Sequence, residues 1–394
     1  MLQDMPLDTK TISSARLDIV DKTRSNLFAW NGQFSPLLVQ ALLEAYSKRG
    51  DHVADPFLGS GTVLIEAGRQ KLSAFGSEIN PAAFLMAQTY QFINRSSEDR
   101  SSAMHHLWDS LDHLLSPCDL FNQSIQKMSP ENLKMELINL WKTQVNATQK
   151  KLLETLIIMS DFYKEGFDNK TVLSAYRRLG ATCNQLPHSA EPITLSLSDA
   201  RSLPVANASI DLVITSPPYI NVFNYHQQYR ASAEALGWDL LYVAKSEIGS
   251  NRKHRGNRFF TVVQYCLDVA QVLVELRRAC KPDARLIFVV GRESNVLKTP
   301  FYNGDIVGRL GVRCAGLLAE KRQERTFVNR FGATIVEDII HFRNTNGLVK
   351  DSEPVAVAEE ALCFAYDRAP EASKPAIREA LHKIATIKPS PLFQ

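Results

Sequence analysis

Residues 52–81 read HVADPFLGSGTVLIEAGRQKLSAFGSEINP, and this stretch decides the fold. The short apolar run HVADPF ends in a turn carrying Gly59 and Gly61, TVLIEAGRQ has the spacing of a helix, and SAFGSE is a second short strand. A strand, turn, helix, strand unit is the building block of a doubly wound parallel sheet. A glycine turn at that point lets backbone approach a ligand closely and aims the first amides of the helix at it. Leu64 stands where a dinucleotide fingerprint has its third glycine, and no Lys-Ser or Lys-Thr follows Gly61, so neither NAD, FAD nor a P-loop nucleotide is indicated. Glu78 ends the second strand about twenty residues beyond the turn, where an acidic side chain accepts the ribose hydroxyls of a nucleoside cofactor.

Working outward, FSPLLVQALLEAY (34–46) reads as a helix capped by Ser35 with Pro36 in its first turn, and residues 1–25 read as a polar arm outside the core. From 91 to 189 the periodicity is helical, with almost no strand signal. Strand grammar returns at ITLSLSDARSLP and IDLVITSPPY. A long helix from about Val262 to Cys280, a Lys-Pro-Asp turn and the strand ARLIFVVG follow. RTFVNRF and TIVEDIIHFR, separated by Gly332, suit an antiparallel hairpin at the end of the sheet, and 346–394 is helical or loose. The expected organisation is an α/β catalytic domain over 26–90 and 190–345, a helical insertion over 91–189, an N-terminal arm and a C-terminal helical tail.

A second motif, Ser216-Pro217-Pro218-Tyr219, follows the buried strand IDLVIT. Two prolines fix the backbone and remove two N–H donors, leaving carbonyls to accept, and the tyrosine adds a flat ring. Such a loop suits a planar group that bears an NH2. Asp199, also at a strand end, suits either the exocyclic amine of an adenine ring or the ordinary use of aspartate at strand ends and turns. The segment INVFNYHQQYR brings Phe223, Tyr225 and Tyr229 next to the loop, as pocket wall or as packing. SNRKHRGNRFF groups Arg252, Lys253, His254, Arg255 and Arg258 with aromatics, a composition that neutralises phosphates or simply solvates a surface.

The 394 residues carry a net charge of only +3, so overall charge names no polyanionic partner, and 45% hydrophobic residues are ample for a core. There is no apolar run long enough for a membrane span and no apolar segment behind a basic start, which makes a cytosolic location the expectation. Six scattered cysteines without a C-x-x-C pair indicate buried free thiols, and no metal site is expected.

The pair DPFLGSGT and SPPY resembles the amino-methyltransferases of DNA, which use S-adenosylmethionine to modify cytosine N4 or adenine N6. The resemblance covers about 26–90 and 190–345 and implies a Rossmann-like class I methyltransferase fold. It implies cofactor contacts from Phe34, Ser35 and Pro36, from Asp55, Phe57, Gly59, Ser60, Gly61 and Thr62, and from Glu78 and Asp199. It also implies that Ser216, Pro217, Pro218 and Tyr219 grip the target amine of a base flipped from duplex DNA, with Tyr219 stacked on that base. Arg252, Lys253, Arg255 and Arg258 would then hold DNA phosphates. Serine at the first loop position inclines the target to cytosine N4, since aspartate versions are mostly adenine enzymes. Adenine N6 in DNA, an RNA base amine, and a non-catalytic methyltransferase-like scaffold are the alternatives. One departure from the family pattern is visible: the helical insertion falls between Glu78 and Asp199, inside the cofactor half.

Overall fold

The computed structural model describes residues 2–115, 128–220, 224–250, 254–329, 332–345, 347–349 and 353–394. Nine strands are present among them: β1 (His52–Asp55), β2 (Ser73–Glu78), β3 (Ile193–Leu197), β4 (Ile210–Thr215), β5 (Cys280–Gly291), β6 (Glu293–Val296), β7 (Thr299–Tyr302), β8 (Leu318–Val328) and β9 (Thr334–Arg343). Seven form one sheet in the order β3-β2-β1-β4-β5-β9-β8. The first five run parallel, while β9 lies antiparallel between β5 and β8. This is a doubly wound, mostly parallel arrangement with its switch point between β1 and β4, and a ligand crevice belongs at the carboxyl ends of those strands.

Alternation along the strands builds two cores. Val53, Leu212, Ile214, Ile287 and Val289 face one layer, and Ala54, Ile210, Val213, Leu286, Phe288 and Val290 face the other. The first layer is covered by helices Pro36–Tyr46, Thr62–Arg69 and Pro81–Ala87, the second by Phe260–Ala279, Asn303–Arg313 and Glu353–Tyr366. Both faces are buried, which is why the parallel strands read as unbroken apolar runs.

The insertion between β2 and β3 contains helices Ser97–Leu115, Pro130–Thr143, Ala147–Ser160 and Asn169–Gln185. Ser129, Asn146 and Asp168 cap the last three, Asp168 through a full capping box with Thr171. Leu107, Leu111, Leu133, Leu152, Leu156 and Leu179 from these helices join the same apolar cluster as Val53 and Leu64. Thr155 Oγ1 donates to the Leu85 carbonyl at 2.7 Å. The insertion is thus continuous with the first core layer.

Two local expectations are corrected, and one element is new. The N-terminal arm is not outside the core: Met5, Ile12 and Leu17 are buried, and residues 6–8 exchange backbone hydrogen bonds of 2.8 and 2.9 Å with Arg322, covering the β8 edge. The Lys-Pro-Asp turn is a register irregularity within β5, with Asp283 at φ 61°. The small β6–β7 hairpin escapes a sequence reading because Leu297 and Lys298, rather than Asn or Gly, adopt its positive-φ turn at 51° and 62°. Of the described cysteines, Cys183, Cys266, Cys280 and Cys314 are buried and free, whereas Cys363 is exposed. No helix among the described residues is long and apolar enough to cross a membrane.

Candidate active site and cofactor cleft

The turn after β1 folds back onto β2, with Leu58 N donating to the Ser77 carbonyl at 3.0 Å. Gly61 has φ 94°, and a Cβ there would stand 2.6 Å from the Tyr90 ring, so only glycine fits at the start of helix Thr62–Arg69. Glu78 receives the exposed end of this turn. Its two carboxylate oxygens accept from Gly59 N and Asn80 N, each at 2.8 Å, and burial pushes its carboxyl up to about 7.

Asp55 has a different place from the one expected. It is buried and does not line the cleft; Oδ1 accepts from Phe57 N at 3.0 Å and from Thr215 Oγ1 at 2.7 Å. Desolvation raises its carboxyl to about 7. It joins the glycine turn directly to the residue before Ser216, across 160 positions of sequence.

The segment 26–34 roofs the turn. Ser60 Oγ donates to Gln33 Oε1 at 2.7 Å, Thr62 Oγ1 to Asn26 Oδ1 at 2.9 Å, and Asn26 Nδ2 to the Phe34 carbonyl at 2.7 Å. Trp30 lies against Gly59 and stacks on Tyr225, centroids 6.2 Å apart and planes at 12°. Phe34 lines the cleft, whereas Ser35 and Pro36 lie outside the lining, starting the helix behind it. Ser60 and Gly61 also lie behind it, and Phe57, Gly59 and Thr62 line it.

Ser216 and Pro218 open into the same cleft, which encloses about 840 Å³ with its mouth. Pro217 is buried. Tyr219 is absent from the lining. Its ring rests on the backbone of Gly291, where a Cβ would sit 3.0 Å from Cε2, and its hydroxyl donates to Glu337 Oε1 at 3.4 Å. Glu337 in turn accepts from Arg325 Nη1 at 2.9 Å. The Ser216 hydroxyl is 3.5 Å from that of Tyr219.

Asp199 lines the cleft, but its carboxylate is held by Arg201 and by the amide of Phe393. Glu247 is a cleft residue that the sequence reading missed. It is 4% exposed, and it accepts from the His226 backbone N at 2.7 Å and lies 2.8 Å from His226 Nδ1. Its signal in sequence is weak, since it follows an undistinguished helix, Leu240–Ser246. In the basic loop, Arg252 and Lys253 lie outside the described residues, as does Phe223. Arg255 is exposed and Arg258 half-buried, and Asn257 ties the loop to helix Lys374–His382 through the Ala376 carbonyl at 2.8 Å.

Glu78, Asp199 and Glu247 are carboxylates of the cleft, and no Lys, Arg or His lines it among the described residues. Such a wall repels phosphates and favours a cationic ligand. It fits a nucleoside whose ribose lies on Glu78 and whose charge is a sulfonium or ammonium rather than a phosphate. Among the described residues no group of three or more His, Cys, Asp or Glu is placed to hold a metal ion.

Residues 12–89 match the DNA methylase family model of the N6/N4 methyltransferase type. The chain is 29% identical over 101 residues to the type II methyltransferase M.MjaII of Methanocaldococcus jannaschii, covering 26% of this chain and 18% of that protein. It is 24% identical over 270 residues to the type II methyltransferase M.BsoBI of Geobacillus stearothermophilus, covering 54% of this chain and 53% of that one. The chain therefore spans under a fifth of one curated relative and about half of the other. A SAM-dependent methyltransferase structure from Methanosarcina mazei aligns with TM-score 0.34 and 11% identity over 78% of this chain and 98% of its own.

Proposed function

We propose that this chain, a relative of the N6-adenine and N4-cytosine amino-methyltransferases of DNA, transfers a methyl group to the N4 amine of a cytosine extruded from duplex DNA. One observation carries the reading: Ser216 and Pro218 open into the same cleft as Gly59 and Glu78, and the Asp55–Thr215 hydrogen bond of 2.7 Å joins the two motifs. Amine and cofactor would thereby be held by one rigid unit.

When bound, S-adenosylmethionine supplies an electrophilic methyl on its sulfonium. Glu78 would accept the ribose hydroxyls, the 26–34 segment would cover the methionine end, and Glu247 would add negative charge to the wall. On the substrate side the obstacle is the delocalised lone pair of an exocyclic amine. Hydrogen bonds from the NH2 to Ser216 Oγ and the Pro217 carbonyl would favour a tetrahedral nitrogen with its lone pair free to attack; the N–C bond would form as the S–C bond breaks, and the surplus proton on nitrogen would leave to water. Catalysis is then orientation and electrostatics, without a covalent enzyme intermediate. Extruding the base costs a few kcal/mol of stacking. Trp30 and Tyr225 line the cleft and so supply its aromatic wall, while Tyr219, supported by Gly291 and Glu337, backs Ser216. The exposed Arg255 is suited to a phosphate. Cytosine rather than adenine is favoured by serine in place of aspartate at position 216.

The test is incubation with labelled S-adenosylmethionine and duplex DNA, with RNA in parallel, followed by digestion and nucleoside mass spectrometry. N4-methyldeoxycytidine is the expected product; N6-methyldeoxyadenosine or a methylated ribonucleoside would overturn the assignment. Ser216→Ala should slow transfer roughly 100-fold with cofactor affinity retained. Gly291→Ala, which pushes a methyl into the Tyr219 ring, should slow it roughly tenfold or more, again without a change in cofactor binding.

A further inference from the structure

Asp199 and Arg201 form a buried knot that reaches the far end of the described chain. Asp199 Oδ1 accepts from Arg201 N at 3.0 Å and Arg201 Nε at 2.9 Å; Oδ2 accepts from Arg201 Nη2 at 2.7 Å and Phe393 N at 3.0 Å. An ionised carboxylate offers about four acceptor positions, and here all four are used within the protein. An adenine amine would have to displace one of them.

The same guanidinium carries a second carboxylate and the chain end. Arg201 Nη1 donates to Asp268 Oδ1 at 3.0 Å and to the Ser390 carbonyl at 2.8 Å, and Nη2 donates to the Pro391 carbonyl at 2.8 Å. Ser390 returns its backbone N to Asp268 Oδ1 at 2.7 Å and its hydroxyl to Oδ2 at 2.5 Å. Gln264 Nε2 holds the Lys388 carbonyl at 2.9 Å. The side chains of Arg201, Asp199 and Asp268 are 1%, 4% and 0% exposed, so these charges are shielded from solvent and lean on one another and on the strap. At its end, Phe393 packs on Tyr242, ring centroids 6.3 Å apart, in the helix that runs into the cleft residues Ser246, Glu247 and Ile248. Residues 388–393 therefore hold the Asp199 corner of the cleft directly and touch, through Tyr242, the helix whose far end leads into the second wall.

We propose that residues 388–393 are a strap that builds one end of the cofactor cleft, and that Asp199 is its anchor, a positioning residue, rather than the acceptor of the adenine amine. The inference rests on the cofactor reading and assigns a role within that site. Calorimetric titration of the full chain with S-adenosylmethionine and with its counterpart lacking the 6-amino group separates the possibilities. Asp199→Asn presents an NH2 to the Phe393 amide or to Arg201, and Ser390→Ala loosens the strap at Asp268 without touching Asp199. The expected result is that both substitutions weaken both ligands by a common factor, roughly tenfold, leaving the preference between them as in the parent. Cofactor should also slow amide exchange at Ser390 and Phe393 in the parent, as reciprocity of coupling requires. Loss of the preference for the amino form in Asp199→Asn, with Ser390→Ala binding as the parent does, would overturn the proposal; so would unchanged affinities in both variants. A parent that binds neither ligand would remove the cofactor reading and this inference with it.

Discussion

Glu78 and Asp199 stand at the ends of neighbouring strands and look alike in sequence, an acidic residue after a short apolar run, yet their surroundings differ. Glu78 is held by two nearby backbone amides, and desolvation lifts its carboxyl to about 7. Asp199 is clamped by a guanidinium and by an amide 194 residues away. The first is organised by its own turn and retains acceptor capacity for ligand hydroxyls. The second spends its capacity on the protein. The same position in a doubly wound sheet thus carries a carboxylate held only by its own turn in one strand and one committed to distant partners in the next.

The comparison breaks most visibly at Arg201. Arg201→Gln removes the guanidinium that bridges the buried carboxylates of Asp199 and Asp268, which should cost about 3–5 kcal/mol of stability in denaturant unfolding. A near-neutral result would mean that the knot does not hold charge. Next comes Glu78→Gln, which leaves the fold intact and should weaken S-adenosylmethionine binding roughly 100-fold, two charge-assisted hydrogen bonds being worth about 1.5–3 kcal/mol each before compensation. Retained affinity would move the ribose elsewhere.

A third effect follows from pH. Only ionised Glu78 accepts both hydroxyls, so cofactor affinity should fall as pH drops below about 7, approaching tenfold per unit, and level off above it. Calorimetry on the parent and on Glu78→Gln, in which the dependence should flatten, checks this. The smallest effect concerns stability. Between about pH 4 and 7 the native protein binds more protons at Glu78 than the unfolded chain does, so this group's contribution to the unfolding free energy falls as pH rises. Glu78→Gln should therefore gain stability relative to the parent on going from pH 5 to pH 8. The opposite trend would place Glu78 in a favourable ion pair.

Much of this cleft was legible beforehand because its parts are local. The turn at Gly59–Gly61, the helix behind it, Glu78 at the next strand end and the prolines after β4 are each recognised within a few residues, and the strand–helix alternation around them brings those strand ends to one edge. Sequence pattern also placed the β8–β9 hairpin about Gly332, but not β9 between β5 and β8, since pairing order is not written in either strand. Asp55 was read as a ligand contact and is instead the bond between the two motifs. Tyr219 was read as a stacking ring, and its neighbour Gly291 lies 72 positions along the chain, beyond the reach of any local pattern.

By itself, then, the sequence determined the class of fold and picked out the glycine turn and the Ser216–Tyr219 loop, because periodicity, turn chemistry and short motifs act over a few residues. Tertiary structure alone decided which carboxylates remain available to a ligand. That depends on partners such as Arg201 with Ser390, 189 residues apart, or Asp55 with Thr215, 160 apart, and a carboxylate's role is set by what desolvates it and what donates to it.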